Sequence, residues 1–192
     1  MWETFRERLD EVLGEPWLPV GWPSLGASLG LFLLVALVEA RSPERWVPIL
    51  DSVNLVFHEA GHPIFGILGW ENLAILGGTL MQLLVPLLVA GSFCWRRQPV
   101  GFAFALFWLA QNGHNIARYM ADARDGLLPL VGGGEHDWTA LFGRWHCLDS
   151  DKAIAGVVAF LGWSGMLAAA LWLGYRGWKA GLRPGNRPAA RS

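Results

Sequence analysis

The chain has 192 residues, a length that suits one ordinary domain, and a formal net charge of −1. Charged residues make up 16% of it and the AVILMFWYC class 53%, whereas a water-facing domain carries roughly 25% charge, so the composition does not fit a soluble protein and lipid is the expected solvent. No basic cluster points to nucleic acid, and Cys94 and Cys147 form neither a metal-binding nor a disulfide pattern.

In chain order, Met1 to Glu15 lacks the positive start and apolar core of a signal peptide. Its apolar positions Trp2, Phe5, Leu9, Val12 and Leu13 follow helical spacing, which predicts an interfacial helix, with residues 1–23 as that helix and its linker. Five stretches then have the roughly 20 apolar residues that a spanning helix needs: Ser24–Ala40, Pro48–Leu68, Thr79–Trp95, Val100–Ala121 and Ala153–Tyr175. Trp22, Trp46, Trp70, Trp95 and Trp178 stand near their ends, at the level amphipathic rings prefer. The expected fold is therefore all-α, a polytopic bundle of about five spans over residues 24–175, closed by a basic tail over 176–192. A sharp corner is expected at Leu76-Gly77-Gly78-Thr79, and a long loop from Asp122 to Lys152 carries Gly132-Gly133-Gly134 and then Glu135-His136-Asp137-Trp138. With five spans, nine Lys and Arg flank one side and five the other, predicting the N-terminus outside and the C-terminus inside. A prokaryotic inner or plasma membrane is the expected location.

The chemistry concentrates in the second stretch. In His58-Glu59-Ala60-Gly61-His62 two imidazoles lie four residues apart, one above the other on a helical face, so both can reach one tetrahedral zinc. Glu59 beside them can take a proton from a water and pass it to a leaving amine. His and Glu inside an apolar span are energetically expensive and mark function. Asp51 and Asn54 share the face of His58 and are candidates to orient the imidazoles, with Asp51 equally suited to capping the first turn.

A His-Glu-x-x-His helix in the membrane, a Gly-Gly corner and a further span resemble the site-2 protease family of intramembrane zinc metalloproteases, over about residues 50–145. The resemblance implies His58 and His62 as zinc ligands, Glu59 as general base, and a third ligand from a later aspartate. The family's usual Asn-Pro and Leu-Asp-Gly stretch is missing here, and no PDZ-like or CBS-like domain accompanies the core. His136-Asp137-Trp138 loosely resembles the loop of a divergent branch, which makes Asp137 the first choice for the third ligand, followed by His136, with His114 and Asp122 also in contention. Asp137 reads equally well as a helix N-cap.

The fourth stretch bears a polar stripe, Gln111, His114, Asn115, Arg118 and Asp122, flanked by Asn112 and Tyr119, which must face the protein interior. Asn112 or Asn115 is a candidate donor to an oxyanion, and Arg118 with Asp122 reads as an ion pair. Gln82 and Thr79 read as helix-contact residues and Glu39 as an interfacial one. The expected function is a Zn2+-dependent intramembrane endopeptidase acting on membrane-embedded protein or peptide substrates, alone or as an oligomer. A non-proteolytic zinc-retaining scaffold and a membrane metal carrier are the rival readings.

Overall fold

The computed structural model describes residues 14–43, 45–131 and 134–181, and all regular structure among them is helical. The expected interfacial helix, Glu44, Gly132, Gly133 and the tail beyond Gly181 lie outside the described residues. Among the described residues six α-helices are traced in full, in order: α1 (Trp22–Arg41), α2 (Leu50–Gly66), α3 (Glu71–Trp95), α4 (Pro99–Ala121), α5 (Asp137–Arg144) and α6 (Asp151–Gly181), the last entered through a 3-10 turn at Leu148–Ser150. Proline sets two of the starts, Pro23 in α1 and Pro99 in α4, where its missing N–H costs no helical bond. Three helical segments among the described residues, Trp22–Arg41, Glu71–Trp95 and Leu148–Gly181, are long and apolar enough to cross a membrane. A helix suits that solvent because it satisfies its backbone polar groups internally.

The bundle is organised around α4, which packs along α6 on one side and α3 on the other, while α3 also pairs with α2. One apolar core joins Leu25 and Phe32 of α1, Phe107 of α4, and Met166 and Leu173 of α6, with the Phe32 and Phe107 rings stacked 4.2 Å apart. A second joins Ile116 and Met120 of α4, Trp138, Leu141 and Phe142 of α5, and Ala155 of α6. It holds α5 against the end of the bundle.

Three expectations about the spans change. The Gly77-Gly78 corner does not exist: α3 begins at Glu71 and runs through both glycines, and the chain reverses instead before it, where Gly69 has φ +75°. In a bundle without water, adjacent small residues serve close helix contact rather than a bend. The two ends of the chain also share one end of the bundle. Trp17 packs on Phe102 and Trp172, the Arg97 and Arg176 guanidiniums both lie over its ring, and Leu18 N–H donates to the Arg97 carbonyl. Residues 17 and 176 can meet only after an even number of traverses, so five traverses with opposite ends do not fit.

The element that fails to traverse is α2. Asp51 and Asn54 in its first turns bond to Gln111 and Trp108, which lie about 14–18 Å along the 23-residue α4 at 1.5 Å per residue. Its far end meets the beginning of α3, where Gly66 faces Ala74. The linker before it descends from the same end, with Trp46 under the Arg118 guanidinium and Val47 N–H donating to Asp51. Thus α2 starts at mid-depth and rises to the end that carries α5.

Candidate metal centre

His58 and His62 lie one turn apart on the face of α2 that meets α3, their ring centroids 4.9 Å apart and nearly perpendicular. That face can approach closely because Gly61 sits against Gly77: a Cβ at Gly61 would lie 2.1 Å from the Gly77 carbonyl oxygen. At the next residue, a Cβ at Gly78 would lie 2.7 Å from His58 Nε2 and 2.8 Å from His62 Nε2. The glycine pair therefore brings the helices together and leaves open the space in front of both ring nitrogens.

Each ring is fixed from behind. His62 Nδ1 is 3.0 Å from the Ala74 carbonyl, which can only accept, so Nδ1 carries the hydrogen and Nε2 of the neutral ring offers a lone pair. His58 Nδ1 is likewise 3.2 Å from Gln82 Oε1, and Gln82 Nε2 donates to Asn115 Oδ1 at 2.7 Å. Asp137 completes the set. Its Oδ2 lies 2.9 Å from His58 Nε2 and 3.4 Å from His62 Nε2. All three ligand atoms fall within 4.8 Å of one another, and this is the metal-capable group among the described residues. With Nδ1 as the donor in both rings, two lone pairs and a carboxylate oxygen face one another, a donor set that can hold a cation. Zinc bound at about 2.0–2.2 Å with tetrahedral angles needs ligand atoms about 3.3 Å apart, so the His2Asp set fits zinc and leaves a fourth position.

The delivery of Asp137 depends on what surrounds it. His136, not Asp137, is the N-cap of α5: its Nδ1 accepts from Thr139 N–H at 3.3 Å, while its ring stacks on Tyr119 and its Nε2 faces Asp122 at 3.5 Å. Burial pushes the His136 imidazole below its usual pKa against the pull of Asp122 and Asp137. The structure places His136 toward Thr139, Tyr119 and Asp122, outside the group formed by His58, His62 and Asp137. The Asp137 backbone N–H donates to the Tyr119 hydroxyl at 3.2 Å, and the Asp137 side chain is left to turn toward the histidines.

The other candidates are also placed elsewhere. His114 sits between Glu39 of α1, through Nδ1, and the Ala159 carbonyl of α6, through Nε2 at 3.1 Å. Glu39 is fully buried in that contact and is no interfacial residue. Asp122 closes the turn after α4, accepting from Leu127 N–H at 2.9 Å and Leu128 N–H at 3.0 Å. Asp51 and Asn54 do not reach the imidazoles; they bond to Val47, Gln111 and Trp108 and tie α2 to α4. Asn112 is fully buried, its Nδ2 donating to the Trp108 carbonyl, and it lines neither cavity at the site.

No protein-family model, curated protein or solved structure matches the chain. Glu59 lines two adjoining cavities. One, of about 300 Å³, is bounded by His58, His62, Tyr119 and Asp137. The other, of about 320 Å³, runs past Asn115 to an apolar wall of Trp46, Leu55 and Leu128–Val131. Glu59, Asn115 and Tyr119 thus border open space beside His58, His62 and Asp137. Asn115 and Tyr119, four residues or about one turn apart on α4, border this space together with Arg118.

Sequence reasoning passed over Tyr119 as a flanking residue and Gln82 as helix-contact glue. The available signal was spacing: Gly78 and Gln82 are four apart, so they share the face of α3 that meets the histidines.

Proposed function

We propose that this chain is a zinc-dependent intramembrane endopeptidase, akin in chemistry to the site-2 protease family that its His-Glu-x-x-His helix resembles. The observation that carries the reading is the convergence of His58, His62 and Asp137 with Glu59 on the wall of the same cavities. Zinc, when bound, would polarise the scissile carbonyl and acidify the attacking water toward neutrality. His58, His62 and Asp137 would hold it, with Gln82 and the Ala74 carbonyl keeping both imidazoles in the liganding tautomer. Glu59 accepts the proton of the water and returns it to the leaving amine. The Tyr119 hydroxyl, whose oxygen already accepts from Asp137 N–H, keeps its hydrogen for the oxyanion, and the Asn115 amide is the second donor. Extended substrate backbone cannot pair with Gly77-Gly78, whose groups are taken up by α3; the segment Leu128–Val131, non-helical and on the cavity wall, is the better partner.

The test compares purified wild type with Glu59→Gln and His58→Ala in bilayer discs, measuring zinc by mass spectrometry and cleavage of a quenched apolar peptide library. Glu59→Gln should retain about one zinc per chain and lose cleavage by about 10²–10⁴-fold, the range expected for loss of a general base. His58→Ala should lose both. Full cleavage by Glu59→Gln would overturn the reading.

A further inference from the structure

Another cavity lies on the far side of Arg118. It encloses about 450 Å³ between the linker after α1, the last turns of α4 and the start of α6. Arg45, Arg118 and Lys152 line it, and among the described residues its lining includes no Asp or Glu. His114 also borders it, but both ring nitrogens are engaged, by Glu39 and by the Ala159 carbonyl. What the cavity offers a ligand is therefore positive charge from three separate pieces of chain. Lys152 also meets Asp125 at 2.9 Å, with the two side chains 59% and 46% exposed, and ion pairs so open to solvent are weak. The Arg118 guanidinium is set in place over the Trp46 ring. Arg45 is held in a left-handed backbone, φ +51°, by the turn that its N–H closes on the Ser42 carbonyl, a conformation that costs a non-glycine residue free energy.

Depth adds a second observation. Arg118 stands three residues, about 4.5 Å, before the end of α4, Lys152 is the second residue of α6, and Arg45 follows the end of α1 by four residues. The segments containing α1 and α6 are long and apolar enough to cross a membrane, so the three cations gather at the boundary of the spans. Beneath them the lining turns small and apolar, with Ala117, Ala155 and Gly156. A Cβ at Gly156 would meet nothing within 4 Å, so the cavity opens sideways there. Phe160, one turn further along the same face of α6, is 68% exposed. Charge at the boundary and an apolar, laterally open floor suit a ligand with an anionic head and an apolar tail.

We propose that this cavity binds one anionic phospholipid. Its phosphate lies among Arg45, Arg118 and Lys152, where the planar guanidinium forks match phosphate oxygens, and its acyl chains follow α6 past Gly156 and Phe160. Arg118 and Leu128 also line the cavity that holds His58 and Glu59, so the headgroup rests one wall away from the candidate metal centre.

The test is native mass spectrometry of the full chain in neutral detergent, titrated with phosphatidylglycerol or with phosphatidylcholine of the same acyl chains. Wild type should hold one phosphatidylglycerol at least about 10-fold more tightly than phosphatidylcholine, because only the former brings net negative charge. Arg45→Gln and Lys152→Gln should each weaken that binding about 5-fold, and together about 25-fold, the factor equivalent to about 1 kcal/mol per cation, with the helical circular dichroism unchanged. Asp125→Asn, which removes the acid beside Lys152, should tighten it, and still decides the point if a cation variant fails to fold. Arg96→Gln, at the opposite end of the bundle, should change nothing. Equal binding of the two lipids would overturn the proposal, as would an equal loss in Arg96→Gln, the mark of general attraction to charge. Displacement by excess glycerol phosphate would give the cavity to a soluble anion, and displacement by an apolar peptide with a free C-terminal carboxylate would give it to a polypeptide; either overturns the lipid assignment. None of these readouts involves zinc or cleavage, so the lipid site and the protease reading stand or fall separately.

Discussion

A methyl group at residue 78 has nowhere to go except into the space in front of His58 and His62, because the atoms it meets belong to those rings. Gly78→Ala should therefore displace the imidazoles, lowering zinc content well below one per chain while the helical circular dichroism of the bundle stays unchanged. Gly61→Ala is a different experiment. Its methyl meets the backbone of Gly77, which cannot rotate away, so α2 and α3 must separate, at about 1–3 kcal/mol as for other overpacked contacts. Its expected signature is a lowered unfolding midpoint in the metal-free protein. Gln82→Leu removes the partner of His58 Nδ1 and should weaken zinc binding about 10–100-fold, measured by competition with a chelating dye.

At the scale of the element, α2 carries both the chemistry and most of what the sequence concealed. The spacing of His58 and His62 was legible because a helix of any surroundings puts residues four apart on one face. Asp137 was reachable through the family resemblance and the Gly-rich run before it, since a sequence separation of 79 residues does not fix where a loop returns. The choice between Asn112 and Asn115 was not legible, because both lie on the polar side of α4 and tertiary packing decides which one meets a cavity. The span assignment of Pro48–Leu68 failed for a related reason. A stretch of about 20 apolar residues is long enough to cross, but Asp51 near its start needs three donors, and Val47, Asn54 and Gln111 supply them at mid-depth. Asp51→Ala should leave the Gln111 and Asn54 amides short of a buried acceptor, destabilising the fold on the order of 1–3 kcal/mol. The loss would be seen as a lower denaturant midpoint with His58, His62 and Asp137 untouched.

For the whole molecule, the long helices agree with the apolar runs of the sequence, and what the runs could not show is how they are fastened. Glu39 and His114 join α1 to α4 in a site that is nearly solvent-free, at 0% and 4% exposure. Removing one partner of such a pair strands the other, at about 3–5 kcal/mol, whereas replacing both by apolar residues is far milder. Glu39→Leu and His114→Leu should each lower thermal stability in bilayer discs more than the double variant does. An additive double variant would show that the pair is not coupled.

The three proposed metal ligands come from two places far apart in the chain, His58 and Asp137 being separated by 79 residues. An ion held between them is a reversible cross-link that closes a long loop, and its affinity becomes part of the folding equilibrium. With free zinc at 100 times its dissociation constant, the folded state gains about 2.7 kcal/mol, so the unfolding midpoint should climb with zinc concentration and fall on chelation. The same cross-link fastens the segment that walls the cavities, which makes the stretch around Val131 the place where a soluble protease should cut first once zinc is withdrawn.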